Sequence, residues 1–231
     1  MDSILYIIIA MLYVLLFVWG IVLWKQDNSP GLQYLLLIVT AALVWDNGIM
    51  GIGKWVGEGE LLEKLNLVRF WLHAFCTPLL TIVSLGLIQR SGSRWAHKRV
   101  ARWGTWIFTA ALIVLEVATE TVSLTLKPIL EYGALRYVPA EESSGPPLMV
   151  ILILIPLFTA GIILWKRKVT SVLFSGTLIM TIGSAVPIPV QSSAATNIFE
   201  IVLITSLWLS IRKLAHIRLT HKIQHDPIKS P

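Results

Sequence analysis

The chain has 231 residues, of which 55% are hydrophobic and only 14% are charged, and its formal net charge is +6. Soluble domains carry about 25% charged residues, so this composition indicates a polytopic membrane protein. The cations are concentrated in a few short segments, as in the loops of membrane proteins, which argues against a nucleic-acid-binding function. Cys76 is the single cysteine, so the sequence predicts no disulfide framework.

Seven apolar segments are long enough to predict membrane-spanning helices, since a span needs about 20 mostly apolar residues. We expect one all-α transmembrane domain over residues 1–231, with a basic tail from about 212 to 231. The first segment is expected to be a retained helix, because no small-residue cleavage site follows it. Pro187 and Pro189 lie between the last two segments and predict either a loop or a broken helix. The predicted spans are 3–24, 31–52, 66–88, 103–126, 147–165, 170–190 and 194–212.

Lys and Arg cluster in three segments that fall on one side of a seven-helix serpentine. These segments are the loop after the third span, the loop after the fifth span and the C-terminal tail. The opposite side carries the acidic "GEGELLEK" loop and the mixed 127–146 loop. Because loops rich in Lys and Arg stay in the cytoplasm, the pattern predicts an N-terminus outside and a C-terminus inside.

Six ionisable side chains lie within the predicted spans, and all fall in the outer half of the bilayer. A charge near hydrocarbon costs a few kcal/mol or more, so such residues are functional candidates. At about 1.5 Å per residue, their depths below the outer surface are similar, which predicts that they meet in one cavity. The six are Asp46, Arg69, His73, Glu116, Glu120 and Glu200, with Asn47, Asn197, Trp45 and Trp71 at the same level.

The cluster contains four carboxyl groups but only one Arg and one His. Some of the carboxyls are therefore expected to be neutral in a medium of low dielectric, and a buried neutral acid beside an apolar cavity can donate a proton. Arg69 is expected to be the counter-ion of one of the glutamates. Only His73 among the histidines lies within a span, which disfavours metal-assisted hydrolysis. A purely structural role, in which polar side chains hold the helices together, is the alternative.

The sequence resembles the integral-membrane terpene cyclases of fungal meroterpenoid and indole-diterpene pathways and their bacterial relatives. The resemblance rests on the chain length, the seven-helix topology and two acids, Asp46 in "VWDNG" and Glu200 in "NIFEIV". The fungal enzymes have a Glu on the second helix and an Asp on the seventh, so the two acid types are exchanged here. The run "DN…G" followed by "RFWLH…TPLL" is similar to a signature of the bacterial subgroup.

This resemblance implies an isomerase or lyase that protonates an epoxide or alkene of a polyprenyl-type substrate and cyclises it through a carbocation, with no metal and no cofactor. Asp46 would donate the proton, Glu200 would be the second acid, and the final base would be His73, Glu116 or Glu120. The expected location is a bacterial cytoplasmic membrane, with membrane lipids as partners and the oligomeric state left open. Substrate contacts are expected from Asn47, Arg69, Trp45, Trp71 and Asn197.

Three other classes stay open. The segment "PAEE" at 139–142 is similar to the P-x-E-E motif of lycopene cyclases, although "SSGPP" follows it rather than a helix. Buried acids also serve lipid hydrolases of the lysoplasmalogenase type. A small proton-coupled transporter would use buried Asp, Glu and His as a proton relay, but such carriers often show broken helices in both halves.

Overall fold

The computed structural model describes residues 1–141, 148–185 and 192–225, with side chains described as far as residue 217. The described residues are mostly helical, with one antiparallel pair of strands. The helices are α1 (Asp2–Gln26), α2 (Leu36–Val56), α3 (Glu60–Cys76), α4 (Leu79–Arg90), α5 (Arg99–Glu116), α6 (Leu148–Lys166), α7 (Val172–Ala185) and α8 (Asn197–His225). The strands are β1 (Leu126–Glu131) and β2 (Ala134–Pro139).

Five described helical stretches are long and apolar enough to cross a membrane. They overlap the first five predicted spans, so the prediction of a mostly helical chain with several candidate membrane-spanning helices is confirmed. The sixth predicted span corresponds to α7, which is apolar but has only 14 described residues, and the seventh corresponds to the first part of α8. The five stretches are Asp2–Gln26, Leu32–Val56, Glu60–Arg90, Arg99–Thr121 and Leu148–Lys166.

The third predicted span is broken rather than continuous, because α3 ends at Cys76 and α4 begins at Leu79. Pro78 lies in the break. A proline has no N–H to donate to the preceding turn, and its ring clashes with the carbonyl four residues earlier. The break sends α4 into the middle of the bundle, where every residue from Leu80 to Ile88 is buried. A helix that is buried all round forms the core of its domain.

The other helices surround α4. Helix α1 packs along α2 and α8, α6 packs on α4 and α7, and α7 packs on α8, while α5 lies against α4 at the periphery. Large apolar side chains on the outside of this bundle are exposed, among them Leu15, Ile107 and Ile155. A broad exposed apolar surface of this kind marks a region of contact with membrane lipid.

A β-hairpin covers one end of the bundle. The all-α prediction is therefore incomplete, because most of this hairpin lies in the segment predicted as the 127–146 loop. Strands β1 and β2 pair from Leu126 with Pro139 to Glu131 with Ala134. The tight turn places Gly133 at a φ of 84°, in the left-handed region that glycine favours. The backbone N–H of Asp2 donates to the Tyr132 carbonyl over 3.0 Å, so the hairpin is fixed to the start of α1.

Several element boundaries differ from the predicted ones. Helix α5 begins before residue 103 and continues as a single π-helical turn, Val117–Thr121. Five of the eight residues of the predicted "GEGELLEK" loop belong to the start of α3. Helix α8 continues to His225, so much of the predicted basic tail is helical. The predicted break at Pro187 and Pro189 lies outside the described residues.

Candidate functional site

Asp46 on α2 and Arg69 on α3 form an ion pair, with 2.9 Å between Asp46 Oδ1 and Arg69 Nε. The Arg69 side chain is 12% exposed and that of Asp46 is 25% exposed. Arg69 also donates from Nη1 to Asn66 Oδ1 over 2.7 Å. The prediction that Arg69 pairs with a glutamate is therefore wrong, since the arginine pairs with Asp46. An arginine in contact stabilises a carboxylate relative to the neutral acid.

His73 lies one turn along α3 from Arg69 and contacts α5. Its Nε2 is 3.9 Å from Glu116 Oε1, and its Nδ1 is 3.3 Å from Thr77 Oγ1. The Glu116 side chain is buried, whereas that of His73 is 40% exposed. The separation from Glu116 is longer than a hydrogen bond. The carboxyl group therefore lies beside the imidazole but does not fix its orientation.

Two asparagines connect the start of α8 to α2. Asn197 donates from Nδ2 to Asn47 Oδ1 over 2.8 Å, and Asn47 donates from Nδ2 to the Leu43 carbonyl over 3.0 Å. Asn47 is completely buried, so its amide is satisfied inside the bundle. Since residues three apart are neighbours on a helix, this contact also fixes the position of Glu200.

Glu200 lies in the wall of a cavity of about 70 Å³ between α2, α3, α4, α6, α7 and α8. His73 and Thr77 are the other polar residues that line it, and the rest of the wall is aliphatic with one methionine. Among the described residues, no hydrogen bond or ion pair holds the Glu200 carboxyl. Asp46 acts on it electrostatically, and of these two acids only Asp46 has a counter-ion among the described residues.

Two residues that the sequence analysis missed also belong to this region. Tyr13 on α1 is fully buried, its hydroxyl has no hydrogen-bond partner among the described residues, and Glu200 and Asp46 are the charged groups that act on it. Arg136 on β2 acts electrostatically on Asp46. No pattern singles out Tyr13 in an apolar helix, and "ALRYVP" lacks the polar–apolar alternation that would have indicated the strand that carries Arg136.

Arg136 connects the hairpin to the bundle. Its Nη2 donates to Glu131 Oε2 over 2.8 Å, and its Nη1 donates to the Tyr6 hydroxyl over 3.2 Å. Tyr6 in turn donates to Ser193 Oγ over 3.0 Å. The hairpin therefore contributes a cation to the end of the bundle that holds the acids.

Of the predicted site residues, only His73 and Glu200 line the cavity, so the prediction of one shared cavity holds only in part. Asp46, Asn47, Arg69, Glu116 and Asn197 form the contacts described above outside its wall, and three others lie elsewhere. Glu120, on the π-helical turn, lines a separate surface pocket together with Glu141 of the region after β2. Trp45 and Trp71 are 37% and 36% exposed, and the ring of Trp71 stacks on Phe75 with the centroids 5.7 Å apart. None of the three lines the cavity that holds Glu200.

No family model matches the chain, and no curated protein matches its sequence. Within the part of the chain that the structure describes, no three His, Cys, Asp or Glu side chains are arranged to hold a metal ion. The region instead combines an ion-paired aspartate, an unpaired glutamate and a histidine around a small apolar cavity. Groups of these types can donate and accept protons within hydrogen-bond reach of a bound molecule.

Proposed function

We propose that the chain is a membrane-embedded acid–base enzyme that protonates an alkene or epoxide at the end of a prenyl-type lipid and cyclises it through a carbocation. The observation that supports this proposal best is the position of Glu200 and His73 in the wall of one otherwise apolar cavity. An apolar wall leaves a carbocation without water as a competing nucleophile. A lipid substrate reaches such a cavity from within the bilayer.

The proposed topology has seven spans, with the N-terminus outside and the C-terminus in the cytoplasm of a bacterial cell. In this proposal, α7 and α8 add two spans to the five long apolar stretches. The basic segments around Arg94, Lys166 and Arg212 then share one side of the membrane, as the bias of Lys and Arg toward the cytoplasm requires. The hairpin and the acids lie toward the outer side.

The two acids exchange the roles that the sequence suggested. The contact with Arg69 favours the carboxylate form of Asp46, and a neighbouring negative charge disfavours a second one. Glu200, which has no counter-ion, is therefore the proton donor in this proposal. The Asp46 carboxylate stabilises the cation that forms in the cavity, and Asn47 positions Asn197 and the first turn of α8.

The proposed reaction conserves all atoms of the substrate. The proton of Glu200 adds to the alkene carbon or the epoxide oxygen, and the carbon–carbon π bonds of the chain close the ring. The final cation loses a proton from a neighbouring carbon to His73, which Thr77 orients. His73 then returns the proton to Glu200 across the shared cavity, so the product is an isomer of the substrate.

The size of the cavity restricts how a substrate binds. Its volume is about 70 Å³, whereas pockets that enclose a whole ligand measure about 300–1,000 Å³. We propose that only the reacting end of the prenyl chain enters, while the remainder stays among lipid tails beside α6 and α7. An end-on substrate also explains why Trp45 and Trp71 do not line the cavity.

The position of the "PAEE" segment disfavours the lycopene-cyclase alternative. Pro139 ends strand β2 and Glu141 is exposed, and Glu142 lies outside the described residues. A motif that acts on a membrane substrate belongs within a span, whereas this one follows the surface hairpin. The hydrolase and transporter alternatives are outcomes of the experiment below.

The test uses the full chain reconstituted in liposomes with a panel of prenyl alcohols and their terminal epoxides, and the products are identified by mass spectrometry. Glu200→Gln should lower the rate of cyclisation by about 10²–10⁴-fold, the usual contribution of a general acid. Glu120→Gln removes the same group outside the cavity and should leave the rate unchanged. Equal rates for the two variants would contradict the role of Glu200. Cleavage of a vinyl-ether phospholipid instead would indicate a hydrolase, and proton flux without any product would indicate a transporter.

A further inference from the structure

A second cavity lies beside the middle of α8 and plays no part in the proposed reaction. Its volume is about 720 Å³, it is partly open to the surroundings, and it is lined by the end of α1, the loop before α7 and the middle of α8. Arg212, which lines this cavity, is 12 residues from Glu200 along α8, or roughly 18 Å at the rise of a helix. The two cavities are therefore separate sites.

The polar part of this second cavity is basic. Arg212 and Lys213 line it, no acidic residue does, and neither forms an ion pair with any described residue. Thr170 and Ser171 add two hydroxyl groups on the facing wall. The Thr170 hydroxyl oxygen accepts the Val172 N–H over 3.2 Å, which leaves its own hydrogen free to donate. Two cations and two hydroxyl donors around one cavity form a site for a phosphate group.

Gln26 and His216 also line the cavity, and the rest of its wall is apolar, with contributions from Leu23, Val169, Val172 and Leu209. Trp24 and Trp165, near the ends of α1 and α6, are 45% and 55% exposed. Exposed tryptophans near helix ends mark the level of lipid headgroups. The cavity thus offers cations at headgroup depth and aliphatic surface beneath them.

We infer that this cavity binds the phosphate headgroup of an anionic phospholipid, with the acyl chains along its aliphatic wall. Basic pockets between helices on the Lys- and Arg-rich side of membrane proteins recognise such headgroups. A free phosphate ion would use the cations but not the apolar wall, so the wall favours the lipid. This site is independent of the proposed cyclase reaction.

The test measures lipid binding to the purified full chain by native mass spectrometry, with phosphatidylglycerol, phosphatidylcholine and inorganic phosphate as probes. Phosphatidylglycerol should bind more tightly than phosphatidylcholine. The double variant Arg212→Gln/Lys213→Gln should weaken its binding by roughly five-fold for each charge removed. The control Lys98→Gln/Arg99→Gln removes two exposed cations outside the cavity and should leave the affinity unchanged.

A steric variant separates the cavity from diffuse surface charge. Ala215 lines the cavity, so Ala215→Trp should obstruct it and weaken phosphatidylglycerol binding while the charge stays the same. The inference is overturned if the two lipids bind equally, or if the two charge variants weaken binding equally. It is also overturned if inorganic phosphate competes as strongly as the lipid, because the apolar wall would then play no part.

Discussion

The ion pair between Asp46 and Arg69 makes a charged aspartate tolerable inside α2. The arginine donates hydrogen bonds to Asp46 and to Asn66, so both charged groups have partners within the bundle. A buried pair of this kind is costly to break, although replacing both members by apolar side chains is often neutral. The pair therefore explains why "VWDNG" can interrupt an apolar segment.

Removing one member of this ion pair should lower the free energy of unfolding more than replacing both members. We expect Asp46→Asn to lower the free energy of unfolding by about 3 kcal/mol, because Arg69 is then buried without a counter-ion. The double variant Asp46→Leu/Arg69→Met should recover most of this loss. Thermal unfolding in lipid–detergent micelles measures both variants. Equal destabilisation of the single and the double variant would show that the pair is not energetically coupled.

A second ion pair, between Asp27 and Arg90, holds the loop after α1. Arg90 contacts both carboxylate oxygens of Asp27, over 2.9 Å for Nη2 to Oδ1, and the Tyr34 hydroxyl donates to Oδ2 over 2.9 Å. Burial acts to raise the pKa of Asp27, but the Arg90, Ser29 and Tyr34 hydrogen bonds reverse it. The net result is a pKa below the ordinary value of 3.8.

The lowered pKa of Asp27 makes its contribution to stability dependent on pH. The unfolded carboxyl binds a proton at a higher pH than the folded one, so the stabilisation is complete above the ordinary pKa of 3.8 and is lost as the pH falls toward the folded value. Asp27→Asn should be less stable than the native chain at neutral pH, and the difference should shrink in acid. Denaturant unfolding at a series of pH values measures this, and a difference that is constant with pH would refute it.

At the scale of elements, the hairpin packs closely against α2 because Gly53 has no side chain at the point of contact. A Cβ atom on Gly53 would overlap the carbonyl oxygen of Leu135 on β2, whereas a Cβ on Gly48 of the same helix meets nothing within 4 Å. We expect Gly53→Ala to lower stability by about 1–3 kcal/mol, as overpacking does, and Gly48→Ala to leave it unchanged or raise it slightly. Proteolysis near the turn at Tyr132 should accelerate only in the first variant. Equal proteolysis of the two variants would mean that the hairpin does not depend on this contact.

The same elements show which features were predictable from sequence. Apolar length alone predicted the regions of the first five spans, and the spacing of Arg69 and His73 placed both side chains toward the acids. The hairpin was missed because β1 and β2 have six residues each and their burial does not alternate with a period of two. The partner of Arg69 was also missed, because spacing along one helix does not determine which residue of another helix it meets. That choice depends on the rotation of α2 against α3.

At the scale of the whole molecule, the proposed topology places the hairpin outside and α8 with its basic end inside. A reporter enzyme that is active only outside the cytoplasm should be active when inserted at the Tyr132–Gly133 turn and inactive when fused after residue 231. Green fluorescent protein at the same two positions should give the opposite pattern. Activity of the external reporter at the C-terminus would contradict the seven-span arrangement.

The central claim is that a proton from the cavity starts ring closure, and isotope labelling tests it most directly. The full chain is supplied with an unmodified prenyl substrate in D₂O, and the product is analysed by mass spectrometry. Protonation of an alkene followed by loss of a proton predicts a cyclic isomer that carries one deuterium on carbon. The Glu200→Gln variant should form about 10²–10⁴-fold less of it. A cyclic product without deuterium on carbon, or equal deuterium incorporation by the native chain and the variant, would contradict the account.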